Sequence, residues 1–176
     1  LGAVEPPVEV LLESPESSQE VSGLLLALAA WDKPHRLRVR GNIPSGPYVR
    51  MTMAVLRSFD VDVHQTEEEG GRSYLVEGPL QAPQEIFPIE PDASAAAVAL
   101  VAGCLSGGAV QVPGLGLQSC QGDVRVIDYL QAFGCQAGER STPEGAELFA
   151  TGLPTQGVDL DLSGEPDLAP ALVPMA

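Results

Sequence analysis

Hydroxyl and carboxylate side chains stand where apolar runs of the sequence give way to helices. The corner at residues 14–19, Ser-Pro-Glu-Ser-Ser-Gln, follows the apolar run at 8–12 and precedes the helix-like run at 24–30. The first N–H groups of a helix lack partners within it, and the helix macrodipole favours negative charge there. The serine pair Ser17-Ser18 therefore predicts either a phosphate or carboxylate site or an ordinary helix N-cap.

The composition excludes several classes of function. The 176 residues contain 24 acidic and 9 basic side chains, a formal net charge of -15, which repels nucleic acid and anionic lipid. The longest apolar stretch, residues 24–31, is too short to span a bilayer. Cys104, Cys120 and Cys135 are odd in number and lack metal-binding or disulfide-framework spacing, which favours free thiols in a reducing, cytoplasmic setting.

Apolar periodicity predicts two copies of one β-α-β-α-β-β unit. The elements of the first copy are predicted at residues 8–12, 17–31, 35–40, 49–59, 61–63 and 73–77. Those of the second are predicted at 86–89, 92–105, 109–112, 124–133, 135–137 and 146–150, and a third copy begins with a strand at 158–162 and a helix at Asp167. The segment Leu56–Phe59 aligns with Leu130–Phe133 at an offset of 74 residues. The predicted fold class is α/β (α+β), with helices packed against mixed sheets.

Five short motifs, in their order along the chain, resemble those of one family. They are Ser17-Ser18-Gln19, Ser45-x-Pro47-Tyr48-Val49-x-Met51-Thr52, Glu90-x-Asp92-Ala93-Ser94, Gly114-Leu115-Gly116 followed by Gln121-Gly122-Asp123-Val124-Arg125, and Pro166-Asp167. Each motif alone is weak. Their order and spacing from residue 8 onward is similar to that of the enolpyruvyl transferases, specifically the 5-enolpyruvylshikimate-3-phosphate synthases (3-phosphoshikimate 1-carboxyvinyltransferases).

The resemblance implies two domains, each built of three β-α-β-α-β-β units, of which this chain carries a central fragment. It assigns residues 1–86 to the later part of the first, shikimate 3-phosphate-binding domain. Residues 87–91 are then the interdomain crossover, and 92–176 begin a truncated second domain. The first residue is not Met and the last run is apolar, which also favours a fragment.

The resemblance also implies a reaction. The family transfers the enolpyruvyl group of phosphoenolpyruvate to the 5-hydroxyl of shikimate 3-phosphate, releases phosphate and uses no cofactor or metal. Its residues imply that Ser17, Ser18 and Ser45 hold the 3-phosphate and that Gln19 lies against the shikimate ring. Tyr48 would pack beside the substrate, and Asp167 would bond the shikimate hydroxyls and take part in proton transfer. The full-length protein is expected to be a cytoplasmic monomer whose partners are the two substrates, with no nucleic acid and no membrane.

Besides transfer to shikimate 3-phosphate, two alternatives stay open: transfer to UDP-N-acetylglucosamine and a non-catalytic remnant. The sister enzymes of the family use UDP-N-acetylglucosamine and a reactive loop cysteine in the first domain, whereas the cysteines here lie in the later region. A non-catalytic remnant that only binds a ligand is the other alternative.

Arg50 and Arg125 lie near corners but are interpreted as solvated helix residues. The family's basic phosphoenolpyruvate site lies outside this window, so the fragment is expected to be inactive alone.

Overall fold

Buried apolar side chains form two separate clusters, one in each half of the chain. The computed structural model describes residues 6–83 and 85–175 and divides the chain into two units, Leu1–Phe87 and Pro88–Ala176. Each unit has its own core and is described by itself.

The first unit contains one complete β-α-β-α-β-β motif. Its elements are β1 (Glu9–Glu13), α1 (Ser18–Leu28), β2 (His35–Arg40), α2 (Gly46–Arg57), β3 (Asp62–Glu68) and β4 (Gly71–Glu77). The sheet has the order β1-β2-β4-β3, in which β1 and β2 are parallel and the other pairs are antiparallel. The predicted order of strands and helices is therefore found in this unit.

The two helices cover one face of the first sheet. Val21 and Leu25 of α1 and Leu56 of α2 are buried in the same cluster as Leu37 and Tyr74 of the sheet. Alternate residues of a strand point to opposite faces, so the apolar residues of β2 face the helices while its arginines lie on the open face. There the arginines make ion pairs with glutamates: Arg38 with Glu9 and Glu68, and Arg40 with Glu13.

The second unit repeats this motif without its first strand. Its elements are α3 (Ala93–Leu105), β5 (Ala109–Pro113), a 3₁₀ turn (Gly122–Arg125), α4 (Val126–Ala132), β6 (Gln136–Thr142), β7 (Gly145–Thr151), a 3₁₀ turn (Pro166–Leu168), α5 (Ala169–Leu172) and a 3₁₀ turn (Val173–Met175). The strands form an antiparallel sheet with the order β5-β7-β6. Leu100 of α3, Leu130 of α4 and Leu148 of β7 are fully buried in its core.

Two predicted strands are wrong. Residues 86–89 form no strand: Ile86 and Ile89 are 95% and 89% exposed, and Pro88 cannot donate a backbone hydrogen bond. Residues 158–162 pair with no strand in the described part of the chain, although alternate apolar side chains of this segment pack against the second core. Alternation therefore identified the buried face of this segment but not a strand partner.

Candidate functional site

Two predicted corners leave neighbouring parallel strands at the same edge of the first sheet. Glu13 of β1 lies opposite Arg40 of β2 at the last paired positions. The N–H of Ser14 donates to the carbonyl of Arg40 over 2.8 Å and joins the two strand ends. Segments 14–19 and 41–48 therefore begin side by side, as expected when parallel strands end at a common edge.

The Ser-Ser-Gln corner forms the N-terminus of α1. Ser17 is the N-cap, and its Oγ accepts from the N–H of Gln19 over 3.1 Å. Ser18, the first helical residue, is 5% exposed, whereas Gln19 is exposed. The carboxylate of Glu20 is turned back to accept from the N–H of Glu16 at 3.1 Å. A neutral hydroxyl thus caps this helix N-terminus, where the macrodipole favours an anion.

Ser45 begins the second corner with an uncommon backbone conformation. It lies in the left-handed region, with φ 53° and ψ 47°, and its side chain does not cap α2. Such a conformation costs a non-glycine residue about 1–3 kcal/mol, so the surroundings must hold it. The N–H of Tyr48 donates to the Ser45 carbonyl over 3.1 Å. Thr52 Oγ1 lies 3.0 Å from the Tyr48 carbonyl and 2.8 Å from Ser22 Oγ of α1, which ties the two helices together.

The equivalent corner of the second unit is closed by its own side chains. Asp92 is the N-cap of α3, and its Oδ1 accepts from the N–H groups of Ser94 and Ala95 at 2.8 and 3.1 Å. The side-chain oxygen of Gln121 accepts from the N–H of Ala93 at 2.8 Å. Carboxylate and amide oxygens thus occupy the place that an anion would take, and this corner is not suited to phosphate.

Asp123 is a buried carboxylic acid beside this corner. It is 3% exposed, its Oδ2 accepts from Ser94 Oγ, and its Oδ1 has no hydrogen-bond partner among the described residues. Burial raises the pKa of Asp123, as do the nearby negative charges of Asp167, Glu165 and Asp92, while the Ser94 hydrogen bond opposes the shift. These four acids therefore lie close enough to influence one another in the second unit.

Asp167 lies in the 3₁₀ turn Pro166–Leu168 and is exposed. Two residues earlier, Glu165 is buried and accepts from Arg125 Nη1 at 3.1 and 3.0 Å through its two carboxylate oxygens. Tyr129 Oη donates to Glu165 Oε2 over 3.0 Å. Arg125 is a half-exposed residue at the start of a helix, as predicted, and it also pairs with a buried carboxylate, which was not predicted.

The structure thus distributes the predicted residues over both units. Ser17, Ser18, Gln19, Ser45 and Tyr48 belong to the first unit, and Asp167 belongs to the second. Sequence reasoning did not single out the partners of Glu165 or the burial of Asp123. No local signal marks either feature, because a buried acid finds its partners in distant parts of the chain.

The second unit also contains the three cysteines of the sequence. Cys104 and Cys135 are buried and Cys120 is exposed, and all three are free. Burial, with Cys135 as neighbour, raises the pKa of the Cys104 thiol to about 12.

Within residues 6–83 and 85–175, no three His, Cys, Asp or Glu side chains are grouped to hold a metal ion. No helix in the same residues is both long and apolar enough to cross a membrane.

Comparisons with known proteins agree on one family. A sequence model of the family EPSP synthase (3-phosphoshikimate 1-carboxyvinyltransferase) matches residues 6–176. The 3-phosphoshikimate 1-carboxyvinyltransferase of Nitrosomonas europaea is 36% identical over 99% of this chain and 40% of the relative. That of Thiobacillus denitrificans is 38% identical over 89% of this chain and 36% of the relative. A solved EPSP synthase from Acinetobacter baumannii superposes with a TM-score of 0.64 at 19% identity, covering 96% of this chain and 38% of that protein.

These matches define the class of fold as that of the enolpyruvyl transferases. The chain belongs to the EPSP synthase family. It spans about 36–40% of the length of these relatives.

Proposed function

We propose that this chain is the central part of a transferase that moves the enolpyruvyl group of phosphoenolpyruvate to the 5-hydroxyl of shikimate 3-phosphate and releases phosphate. The observation that carries the proposal is the pair of hydroxyl corners at one sheet edge, in a chain whose family match covers residues 6–176. The named relatives perform this reaction class according to their names. The longer protein would act in the cytoplasm, as a monomer and without a cofactor.

The first unit would bind the phosphorylated substrate. Ser17, Ser18 and Ser45 would donate to the 3-phosphate, because hydroxyl and N–H groups at a helix N-terminus suit a phosphate. The neutral Ser17 cap supports this role, whereas the carboxylate of Glu20, which accepts from the N–H of Glu16, weakens the positive potential of the corner. Gln19, exposed next to the buried Ser18, would lie against the ring, and the half-buried Tyr48 would pack beside the substrate.

The second unit would contribute the carboxylate of Asp167. A carboxylate within hydrogen-bond reach of a hydroxyl can accept its proton as the oxygen attacks. The exposure of Asp167 and its place after a rigid proline support access to substrate. Residues 1–86, 87–91 and 92–176 would then be the later first domain, the crossover and the beginning of the second domain.

Turnover by the full-length protein that contains this chain tests the proposal. Phosphate release from phosphoenolpyruvate is measured with shikimate 3-phosphate as acceptor. Asp167→Asn is expected to lower kcat about 10²–10⁴-fold, the usual contribution of a general base. Ser18→Ala is expected to raise KM for shikimate 3-phosphate. Ser58→Ala is the control, because the Ser58 hydroxyl only bonds the carbonyl of Ala54 within its own helix.

Two measurements could contradict the proposal: turnover with a different acceptor, and turnover by the isolated 176-residue chain. Turnover with UDP-N-acetylglucosamine instead of shikimate 3-phosphate would contradict the choice of substrate. The position of all three cysteines in the second unit favours shikimate 3-phosphate, since the sister enzymes carry their loop cysteine in the first domain. The 176-residue chain alone is expected to release no phosphate, and turnover by it would contradict the assignment as a part of the enzyme.

A further inference from the structure

Glu165, Arg125 and Tyr129 form a charged cluster directly before Asp167, which we call the Glu165 clamp. The side chain of Glu165 is 5% exposed, while that of Arg125 is 52% exposed. Arg125 Nη1 bonds both oxygens of the Glu165 carboxylate, and Tyr129 Oη bonds one of them. The guanidinium also lies over the Tyr129 ring, 5.4 Å from its centre. The carboxylate is thus held from two sides by the 3₁₀ turn and helix that run from residue 122 to 132.

A buried carboxylate is retained only when its partners compensate for lost hydration. Three hydrogen bonds at 3.0–3.1 Å do so here. The pKa of Arg125 is raised, mainly by its hydrogen bond to Glu165, and burial followed by the same carboxylate raises the pKa of Tyr129. Both partners thus keep their protons around neutral pH, and the cluster keeps its hydrogen-bond pattern.

The clamp fixes the backbone that carries Asp167. The N–H of Glu165 donates to the carbonyl of Leu162, and the carbonyl of Glu165 accepts from the N–H of Leu168, both over 3.1 Å. Leu168 is fully buried, and Pro166 has a fixed φ. Asp167 therefore stands between two anchored residues, one polar and one apolar, on a turn with little freedom.

We infer that the Glu165 clamp is a positioning element that orients Asp167 toward the reacting hydroxyl. This inference rests on the proposed function, because it gives Asp167 a task in turnover. Glu165, Arg125 and Tyr129 act through Asp167 and do not themselves contact substrate. A displacement of about 1 Å at a reacting group can cost roughly 10²-fold in rate, so a clamp of this kind has a measurable effect.

Steady-state kinetics of the full-length protein with phosphoenolpyruvate and shikimate 3-phosphate test the inference. Tyr129→Phe removes the hydroxyl that bonds Glu165 Oε2 at 3.0 Å and lies 3.5 Å from the carbonyl of Asp161, with little change in shape. Glu165→Gln removes the charge that binds Arg125. We expect kcat to fall about tenfold and about 100-fold, respectively, with KM for shikimate 3-phosphate changed less than threefold. Glu144→Gln is the matched control, because Glu144 is an exposed acid in the turn between β6 and β7 and its N–H bonds Thr142 Oγ1 of the same turn.

A double-mutant comparison separates positioning from a general loss of stability. If the clamp acts through Asp167, Tyr129→Phe costs little further in an Asp167→Asn background, because the oriented group is already gone. Amide hydrogen exchange at Leu168 is expected to accelerate in Tyr129→Phe and to stay unchanged in Glu144→Gln. Both measurements remain available in Tyr129→Phe if Glu165→Gln fails to fold.

Two results would overturn the inference and leave the proposed function in place. One is undiminished kcat in both clamp variants when Asp167→Asn is strongly impaired. The other is a Tyr129→Phe loss that is equally large with and without Asp167. Undiminished turnover in Asp167→Asn itself overturns the assigned role of Asp167, and with it the task of the clamp.

Discussion

The first helices of the two units begin with different chemistry at equivalent places in the repeat. In the first unit a neutral hydroxyl, that of Ser17, caps α1. In the second unit the carboxylate of Asp92 accepts from the N–H groups of Ser94 and Ala95. The side-chain oxygen of Gln121 accepts from the N–H of Ala93. The first N–H groups of α3 are therefore bonded by side chains of the second unit, whereas the cap of α1 carries no charge. Under the proposed function, the same fold position would bind a ligand in one unit and close the helix in the other.

The second helices end, by contrast, in the same way in both units. The N–H of Val61 donates to the carbonyl of Leu56 over 3.1 Å. In the same way, the N–H of Cys135 donates to the carbonyl of Leu130 over 3.0 Å. The residues between, Asp60 and Gly134, both have left-handed backbones, with φ 58° and 89°. Backbone geometry is thus repeated where hydrogen bonding requires it, while the side chains of the corners have diverged.

The largest expected effect is at the helix end of the second unit, with Gly134→Ala. A Cβ at Gly134 would lie 2.0 Å from Thr155 Oγ1, and φ is 89°. The strained backbone and the clash together should reduce the free energy of unfolding by about 3 kcal/mol. Urea denaturation followed by labelling of Cys104 and Cys135 measures it, because these thiols are buried in the second unit.

Gly152→Ala is the matched control for this variant. Gly152 also has a left-handed φ, 84°, but nothing lies within 4 Å of an added Cβ. We expect a loss of about 1 kcal/mol, from the backbone alone. Equal losses in the two variants would contradict the part assigned to Thr155.

The next largest effect is expected from Ser17→Asp, which gives α1 a carboxylate N-cap like that of Asp92 in α3. Aspartate is a good N-cap, so α1 should keep its stability. Its charge would repel the 3-phosphate and compete for the same N–H groups. Affinity of the full-length protein for shikimate 3-phosphate should fall about 10- to 100-fold, or about 1.4–2.7 kcal/mol, as measured by calorimetric titration.

Ser17→Asn distinguishes charge from shape in this experiment. Asparagine caps a helix about as well as aspartate but carries no charge. We expect most of the affinity to survive in it. If Ser17→Asn and Ser17→Asp bind equally weakly, the loss is steric, and the electrostatic contrast between the corners is not its cause.

Much of this architecture could be predicted from the sequence because it depends on local signals. Alternating residues located β2, and Asp92 was found where it caps α3. The helix that includes Val124–Phe133 was also placed well, although its first turn is a 3₁₀ turn. Apolar periodicity and helix capping depend on residues close together in the sequence, so a short segment is enough to predict them.

The missed features depend on distant residues. Residues 158–162 would form a strand only if they paired with another strand. The alternation of apolar and polar residues does not show whether such a partner exists. The pairing of Glu165 with Arg125 joins residues 40 apart, and the hydrogen bond of Asp123 with Ser94 joins residues 29 apart. The motifs predict candidate corners, and the tertiary fold decides which of their acids are buried.

A smaller effect is expected from Asp123→Asn, which neutralises the buried acid of the second corner. Burial raises the pKa of Asp123 above its ordinary 3.8, so the folded unit disfavours the charged form. The variant should stabilise the second unit by about 1 kcal/mol at pH values above the raised pKa, where the wild-type acid is charged.

The pH dependence gives the sign of this effect. As pH falls through the raised pKa, wild-type Asp123 becomes protonated and loses its penalty, so the two proteins converge and match below 3.8. Urea denaturation of both chains across this range, with Cys104 and Cys135 labelling, measures the difference. Asp128→Asn, at an exposed position of α4, is the control. A gain that is independent of pH would contradict the assignment to a buried charge.

The smallest expected effect is at the helix end of the first unit, where Asp60 occupies the place of Gly134. Glycine adopts the φ of 58° without strain, although it loses more chain entropy on folding. Asp60→Gly should therefore stabilise the first unit by about 0.5 kcal/mol. The fluorescence of Trp31, the single tryptophan of the chain, measures urea unfolding of this unit. Ser58→Gly, in the right-handed region at φ -68°, should give no gain, and a gain there equal to that of Asp60→Gly would mean that backbone strain is not the cause.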